Sequence, residues 1–195
     1  MPRRPRELID GGIYHVFNRG NNRHDLFCDQ EDAGTFLSYL YEIKKTLGAS
    51  LYHYCLMTNH FHFLLKVEKG EDLSKVMHSA QLGYARYFKR KYIFVGHVFQ
   101  ERFRSPLIDG EAYYLQCGRY IERNPVKAGM VKNAWDYEWT SATYYALGEK
   151  DGMITPNPYY EGMGKDPVSR QENYRGFLAI EDAYSKLIDE VLNKC

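Results

Sequence analysis

The chain has 195 residues, of which 44% are hydrophobic and 15% aromatic, with 26 Lys and Arg against 25 Asp and Glu. This length suits one domain with an extension, and the composition allows a buried core. No apolar run approaches 18 residues, which excludes a membrane-spanning helix, and no signal-peptide pattern is present, so we expect a cytoplasmic protein without a membrane partner.

The charge is unevenly distributed along the chain. Residues 81–132 carry 10 basic and 4 acidic side chains, whereas residues 133–195 carry 6 and 11. A basic middle suggests that this part meets an anion, plausibly nucleic acid, although an ordinary solvated surface explains the charge equally well.

In chain order, the hydrophobic pattern predicts a short strand within residues 11–20 and a helix over about 30–47 that is capped by Asp29. Further elements follow: strands at 50–57 and 60–67, a helix at 71–92, a strand or strand pair at 96–108, a helix over about 110–123 and a last helix over about 169–194. Asp109 is a candidate cap for the helix at 110–123, and Pro125 is expected to end it.

The order β-α-β-β-α-β followed by a helix is that of the ferredoxin-like, split βαβ plan. We therefore predict an α+β fold with an antiparallel sheet, helices on one face and a further helix beyond the sheet. Residues 1–140 are assigned to this domain, and residues 141–195 to a C-terminal extension packed on it, whose role the sequence leaves open.

Two histidines stand one residue apart in the apolar run CLMTNHFHFLLK, residues 55–66. Because side chains alternate between the faces of a strand, His60 and His62 point the same way and Phe61 points opposite. Two imidazoles on one face can converge on a metal ion, but a strand whose polar face happens to carry histidines has the same pattern. Two ligands are too few for a tight site, so a third must come from elsewhere.

The helix that contains YLQCGRYIERNPVKAG offers a phenol and an amide one turn apart, at Tyr120 and Asn124. Asn124 supplies a carbonyl oxygen suited to a hard cation, and a polarised Tyr hydroxyl can attack phosphorus. Packing is the usual role of a helical Tyr, however, and Tyr113 and Tyr114 are alternative nucleophiles.

Four segments in order, YHVFNRGNNR, MTNHFHFLL, GHVFQERFRS and YIERNPVKAGMV, together resemble single-tyrosine transposases of the HUH nuclease superfamily. More narrowly, they resemble the REP-associated tyrosine transposases and their insertion-sequence relatives, over roughly residues 10–140. By this resemblance His60 and His62 hold a divalent cation, Tyr120 is the nucleophile, and Asn124 stands where a third ligand, often Gln in relatives, is expected.

The resemblance implies a metal-dependent transposase that cleaves and rejoins single-stranded, hairpin-containing DNA through a 5′-phosphotyrosine, with Mg²⁺ or Mn²⁺ as the ion. A non-catalytic regulator that binds hairpin or single-stranded DNA on the same fold is the main alternative. A phosphodiesterase that uses activated water is another. Relatives imply either a monomer or a homodimer.

Basic side chains in the middle of the chain are predicted to contact DNA phosphates, which would make binding dependent on salt. They are Arg86, Lys89, Arg90, Lys91, Arg102, Arg104, Arg119, Arg123 and Lys127. Asn18 and Arg19 in the FNRG segment are predicted to brace the site, whereas His15 is interpreted as a core histidine rather than a ligand.

Overall fold

The computed structural model describes residues 6–180. Three strands form an antiparallel sheet in the order β1-β3-β2: β1 (Ile13–Arg19), β2 (Ser50–Met57) and β3 (His60–Lys66). The strand β3 therefore lies between β1 and β2, which are joined by the first helix of the chain. This is the split βαβ arrangement that the element order predicted.

The predicted fourth strand runs along the outer edge of β1 without becoming a regular ladder. Isolated bridges join Tyr14 to Leu107, Phe17 to Arg104 and Gly20 to Phe99. Phe17 and Arg104 exchange both backbone hydrogen bonds, but at the next such pair only the bond from the His15 N–H to the Pro106 carbonyl forms. Proline has no N–H to donate in return, and the ladder is interrupted there.

Helices cover both faces of the sheet. On one face α1 (Gln30–Leu47) and α2 (Asp72–Tyr92) pack over the main core, where Phe36 contacts Phe61 and Phe63. On the other face lies α3 (Glu111–Lys127), against a second cluster that includes Leu64 and Ile121. The alternation of β3 thus directs its phenylalanines to the first face and its histidines toward α3.

The bounds of α1 agree with the sequence: Asp29 accepts a hydrogen bond from the Asp32 N–H, and Gly48 ends the helix in the left-handed conformation. The prediction for α3 was wrong at both ends. Its N-cap is Gly110 rather than Asp109, and the helix continues through Pro125 to Lys127.

Pro125 is tolerated because the preceding side chain compensates for it. Proline cannot donate to the carbonyl of Ile121, four residues earlier. The Asn124 amide donates to this carbonyl at 3.3 Å and to that of Tyr120 at 2.8 Å. The Asn–Pro pair that signals a helix stop is here accommodated within the last turn.

The segment after α3 packs on the domain. It contains α4 (Ala142–Leu147), α5 (Pro167–Ala179) and two short 3₁₀ turns, at Ala134–Asp136 and Glu161–Met163. Another 3₁₀ turn, Asn21–Arg23, follows β1. The backbone N–H groups of Ser141 and Thr155 donate to carbonyls of β2, which protects that edge of the sheet. The predicted last helix begins at Pro167, and its part beyond 180 lies outside the described residues. Within residues 6–180, no helix is long and apolar enough to cross a membrane.

Candidate active site

The histidine pair of β3 faces α3. The two rings are 5.1 Å apart, and the His62 ring is buried. Nδ1 of His60 lies 2.7 Å from Oδ1 of Asn59, and Nδ1 of His62 lies 3.0 Å from Nε2 of His15. Each ring is therefore oriented by a neighbour at its Nδ1 atom.

Tyr120 of α3 lies against His62 of this pair. Its ring meets His62 edge-on at 5.7 Å and His15 at 5.8 Å, and the ammonium of Lys127 lies 4.5 Å from its centroid. Tyr120 is only 5% exposed, but it lines the same cavity as His60 and His62. The structure thus brings together a phenol and two imidazoles that are about 60 residues apart in sequence.

Asn124 lies one helical turn beyond Tyr120 and joins the same group. Its amide nitrogen donates to helix carbonyls, which leaves the carbonyl oxygen as the polar atom available to other groups. A hydrogen bond connects its side chain to His60. Within residues 6–180, no group of three His, Cys, Asp or Glu side chains is arranged to hold a metal ion.

These four side chains open onto a cavity of about 520 Å³ with a basic wall. Four of its lining residues are arginines and one is a glutamate. Besides His60, His62, Tyr120 and Asn124, the cavity is lined by these nine residues: Phe17, Asn18, Arg19, Arg23, Asn59, Gln100, Glu101, Arg102 and Arg104. Such a wall favours an anionic ligand.

Burial keeps both histidines of the pair neutral near pH 7. It lowers the pKa of His60 to about 4, helped by the charge of Arg19, and it lowers the pKa of His62 well below its usual value. Burial likewise lowers the pKa of His15 to about 3. Neutral imidazoles have a lone pair available for a metal ion or a hydrogen bond.

The alternative tyrosines do not reach the cavity. Tyr114 is buried against the rings of Tyr52 and Tyr159, and burial raises the pKa of its hydroxyl. Tyr113 packs against the same cluster. Among the residues that line the cavity in the described part of the chain, Tyr120 is the only tyrosine.

The predicted bracing residues also lie here. The Asn18 amide donates to Oε1 of Gln81 on α2 at 2.8 Å and to the carbonyl of Glu101 at 2.9 Å. The Arg19 guanidinium donates to Oε1 of Gln100 at 2.5 Å. Both side chains thus connect β1 to the chain segment that forms the cavity wall.

The predicted DNA-contacting residues fall into several groups. Arg102 and Arg104 line the cavity, and Lys127 covers the ring of Tyr120. Arg119 stacks on Phe177, and Arg123 donates to the carbonyl of Leu178, so both point toward the C-terminal segment. These two arginines are close to Tyr120 in sequence, but they are not among the residues that line the cavity.

The basic end of α2 is divided as well. Lys91 forms ion pairs of 2.7–2.9 Å with Asp29, Glu31 and Asp32 at the start of α1. Arg86, Lys89 and Arg90 are exposed. Lys89 lines a second groove of about 800 Å³ between α2 and residues 97–103, which shares Arg102 with the cavity.

Several residues of the site were not found from the sequence. Arg23, Asn59, Gln100 and Glu101 line the cavity, and all four lie in the segments NNR, TNH and FQER that carried the family resemblance. Their adjacency to assigned residues was the available signal. His15 is buried, as interpreted, but its contact with His62 depends on the register between β1 and β3.

Comparisons with known proteins place the chain in a family. The family model for IS200-like transposases matches residues 9–124, a range that contains His60, His62, Tyr120 and Asn124. No curated protein matches the sequence.

One solved structure shares the fold. A REP-associated tyrosine transposase bound to a REP hairpin superposes at a TM-score of 0.66 with 18% identity, over 80% of this chain and 93% of that one. A candidate transposase from Deinococcus radiodurans R1 gives a TM-score of 0.44 with 19% identity, over 63% and 97% of the two chains. With the family model matching well over half of its length, the chain belongs to the IS200-like transposase family.

Proposed function

We propose that the protein is a metal-dependent DNA transposase that cleaves and rejoins single-stranded, hairpin-containing DNA through a covalent bond to Tyr120. The observation that carries the proposal is the convergence of Tyr120, His60, His62 and Asn124 on one cavity with an arginine-rich wall. Membership of the IS200-like transposase family supports the same reaction class.

The donor set fits a hard or borderline divalent cation such as Mg²⁺ or Mn²⁺. Because a carbonyl oxygen only accepts, Asn59 favours the tautomer of His60 with its proton on Nδ1. A bound cation would then take the place of the hydrogen bond between the other ring nitrogen and Asn124. A hydrogen-bond acceptor at the ring nitrogen that does not bind the ion is typical of metal-binding histidines. Together His60, His62 and the Asn124 carbonyl would hold the ion, with phosphate oxygens or water completing its coordination.

Strand cleavage needs a nucleophile in line with the scissile phosphodiester. The Tyr120 oxygen forms a bond to phosphorus while the bond from phosphorus to the 3′ oxygen breaks. The tyrosine proton leaves to solvent, and the departing strand takes up a proton to end in a 3′-hydroxyl. A bound cation supplies charge neutralisation at the phosphate oxygens.

The product is still a phosphodiester, in which phosphorus now links the Tyr120 oxygen to the 5′ oxygen of the downstream strand. A 3′-hydroxyl can therefore reverse the step and join strands without an external energy source. Lys127, above the ring, is proposed to stabilise negative charge on Tyr120 as its proton leaves, since a cation stabilises an anion beside it.

The arginines of the cavity wall are proposed to hold the phosphates on either side of the scissile bond. Because the groove along α2 shares Arg102 with the cavity, the strand is proposed to continue past Lys89. The structurally similar REP-associated transposase was solved with a REP hairpin, and we extend hairpin DNA to this protein as its substrate class.

The decisive experiment uses hairpin oligonucleotides whose single-stranded flanks are randomised, because the target sequence is unknown. They are labelled at either end and incubated with the protein and Mn²⁺ before a denaturing gel. A 3′ label is expected in a protein-linked band, and a 5′ label in a shortened strand with an extendable 3′-hydroxyl. EDTA should remove both products.

A shortened strand without any protein-linked label would indicate hydrolysis by water and would contradict the covalent step. Hairpin binding without either product, at saturating Mn²⁺, would favour the non-catalytic regulator. Fully duplex oligonucleotides serve as the control and are expected to yield neither band.

A further prediction compares two basic residues: Arg102 of the cavity wall and Lys91 of α2. Arg102→Ala is expected to weaken hairpin binding and to lower the slope of log affinity against log salt by about 1, because one phosphate contact is lost. Lys91→Ala should leave both quantities unchanged, since its ammonium is held by three carboxylates, and should instead lower the melting temperature.

Fluorescence anisotropy over a salt series, with thermal melts of each variant, separates the two effects. A loss of affinity for Lys91→Ala equal to that for Arg102→Ala would show that the ion pairs of Lys91 open to DNA, against this assignment.

A further inference from the structure

His15 and His62 form a buried contact between two imidazoles. His15 is 1% exposed and His62 is 4% exposed. Nε2 of His15 lies 3.0 Å from Nδ1 of His62, with ring centroids 5.1 Å apart. In the register of the sheet, Phe17 is the direct partner of His62, so His15 reaches it diagonally from the next residue on the same face of β1.

A hydrogen bond between two neutral imidazoles has two possible directions. Either His15 donates from Nε2, which leaves the proton of His62 on its own Nε2, or His62 donates from Nδ1 and keeps a lone pair on Nε2. Within residues 6–180, neither ring is paired with a carboxylate that would make it an imidazolium. The direction of this one bond therefore decides which nitrogen of His62 is available.

Only one direction is compatible with a cation at the histidine pair. Nδ1 of His62 is occupied by His15, so Nε2 is the ring nitrogen left for a ligand bond. A nitrogen that carries a proton cannot coordinate a metal ion. His62 must then donate from Nδ1, and Nε2 of His15 must accept.

We propose that His15 is a positioning residue of the site: as a hydrogen-bond acceptor it fixes the Nδ1–H tautomer of His62 and turns Nε2 toward the cation. This inference rests on the proposed function for the identity of the ligand, and it adds a residue on β1 that touches neither the cation nor DNA. Asn59 does the same for His60 through its carbonyl oxygen.

The test compares two variants of similar size at position 15. His15→Gln retains an acceptor, the amide oxygen, near the position of Nε2, whereas His15→Phe retains a flat ring for the contacts with Phe17 and Tyr120 but has no acceptor. Thermal melts verify that both variants are folded. The readouts are Mn²⁺ affinity without DNA, by calorimetry, and the tautomer of His62 in the metal-free protein, by long-range ¹H–¹⁵N NMR.

In the wild-type protein, His62 is expected as the Nδ1–H tautomer and His15 with an unprotonated Nε2. His15→Phe should weaken Mn²⁺ binding by about 10- to 100-fold and shift His62 toward the Nε2–H form. His15→Gln should stay within a few-fold of wild type in Mn²⁺ affinity and preserve the tautomer.

The proposal is overturned if His62 carries its proton on Nε2 in the wild-type protein, or if folded His15→Phe binds Mn²⁺ as tightly as wild type. Neither measurement needs DNA. A protein that binds Mn²⁺ as expected but forms no covalent DNA product would thus refute the proposed function and leave the role of His15 standing.

Discussion

Tyr120→Phe is expected to abolish the covalent protein–DNA product, with a loss of at least about a thousandfold in the rate of strand cleavage. The substitution removes only the hydroxyl, which is the proposed nucleophile. The ring remains available to pack edge-on against His62 and His15, so the fold and the binding of DNA should persist. Gel quantification of product against time, with anisotropy for binding, measures both.

Tyr114→Phe is the matched control on the same helix. The Tyr114 hydroxyl is buried and has no hydrogen-bond partner among residues 6–180, so removing it should cost no stability and leave product formation at the wild-type level. If Tyr120→Phe still forms the protein-linked band, another tyrosine is the nucleophile. Tyr113 would then be substituted next, because it lies half-buried near the start of α3.

The parts of the site that the sequence predicted are those governed by local periodicity. Alternation along a strand put His60 and His62 on one face, and helical spacing put Tyr120 and Asn124 one turn apart; both hold in the structure. The fold followed from element order for the same reason. Periodicity does not show that the histidine face of β3 packs against the Tyr120 face of α3. The family resemblance supplied that pairing.

The sequence is least informative where the role of a residue depends on side chains that are distant in sequence or that compensate for it. Pro125 was expected to stop α3, but the side chain of Asn124 satisfies the carbonyl that proline leaves unpaired. The DNA contacts of Arg119 and Arg123 stay a prediction. The structure adds contacts of these side chains with Phe177 and Leu178, at least 55 residues away, which no local pattern indicates.

The assignment of residues 141–195 to an extension of open role depends on the same kind of contact. Glu122, two residues after Tyr120, is fully buried, and its carboxylate accepts three hydrogen bonds. His53 of β2 donates at 2.8 Å, Ser141 at 2.6 Å and Tyr174 of α5 at 2.7 Å. Two of the three donors come from the C-terminal segment, so α3 is held in place jointly by the sheet and by that segment.

Further hydrogen bonds hold two of the three donors to Glu122 in place. The Asn157 amide donates to Nε2 of His53 at 3.0 Å, which leaves the proton of His53 on Nδ1 for Glu122. Burial, and next the charge of Glu122, raise the pKa of the Tyr174 hydroxyl, which therefore stays protonated as a donor. All polar groups at Glu122 are thus paired, as buried groups require.

Glu122→Ala is accordingly expected to lower the free energy of unfolding by about 3–5 kcal/mol, because three buried donors lose their acceptor at once. Glu122→Gln keeps one carbonyl oxygen for His53 and Ser141 and should cost less, since only the Tyr174 hydroxyl loses its acceptor and it can accept from the Gln amide instead. Urea denaturation of both variants measures the difference. Glu172 on α5 is exposed, and Glu172→Ala serves as the control: it should change the free energy of unfolding by less than about 0.5 kcal/mol.

The same cluster predicts the fate of a chain that ends at residue 140. Such a chain lacks Ser141, Asn157 and Tyr174, and it exposes the edge of β2 that the C-terminal segment covers. It should fail to unfold cooperatively in urea and should form no covalent DNA product, although it retains His60, His62 and Tyr120. A truncated chain with a sharp unfolding transition and wild-type cleavage would show that α3 is held by the sheet alone, and that the C-terminal segment is dispensable for placing Tyr120.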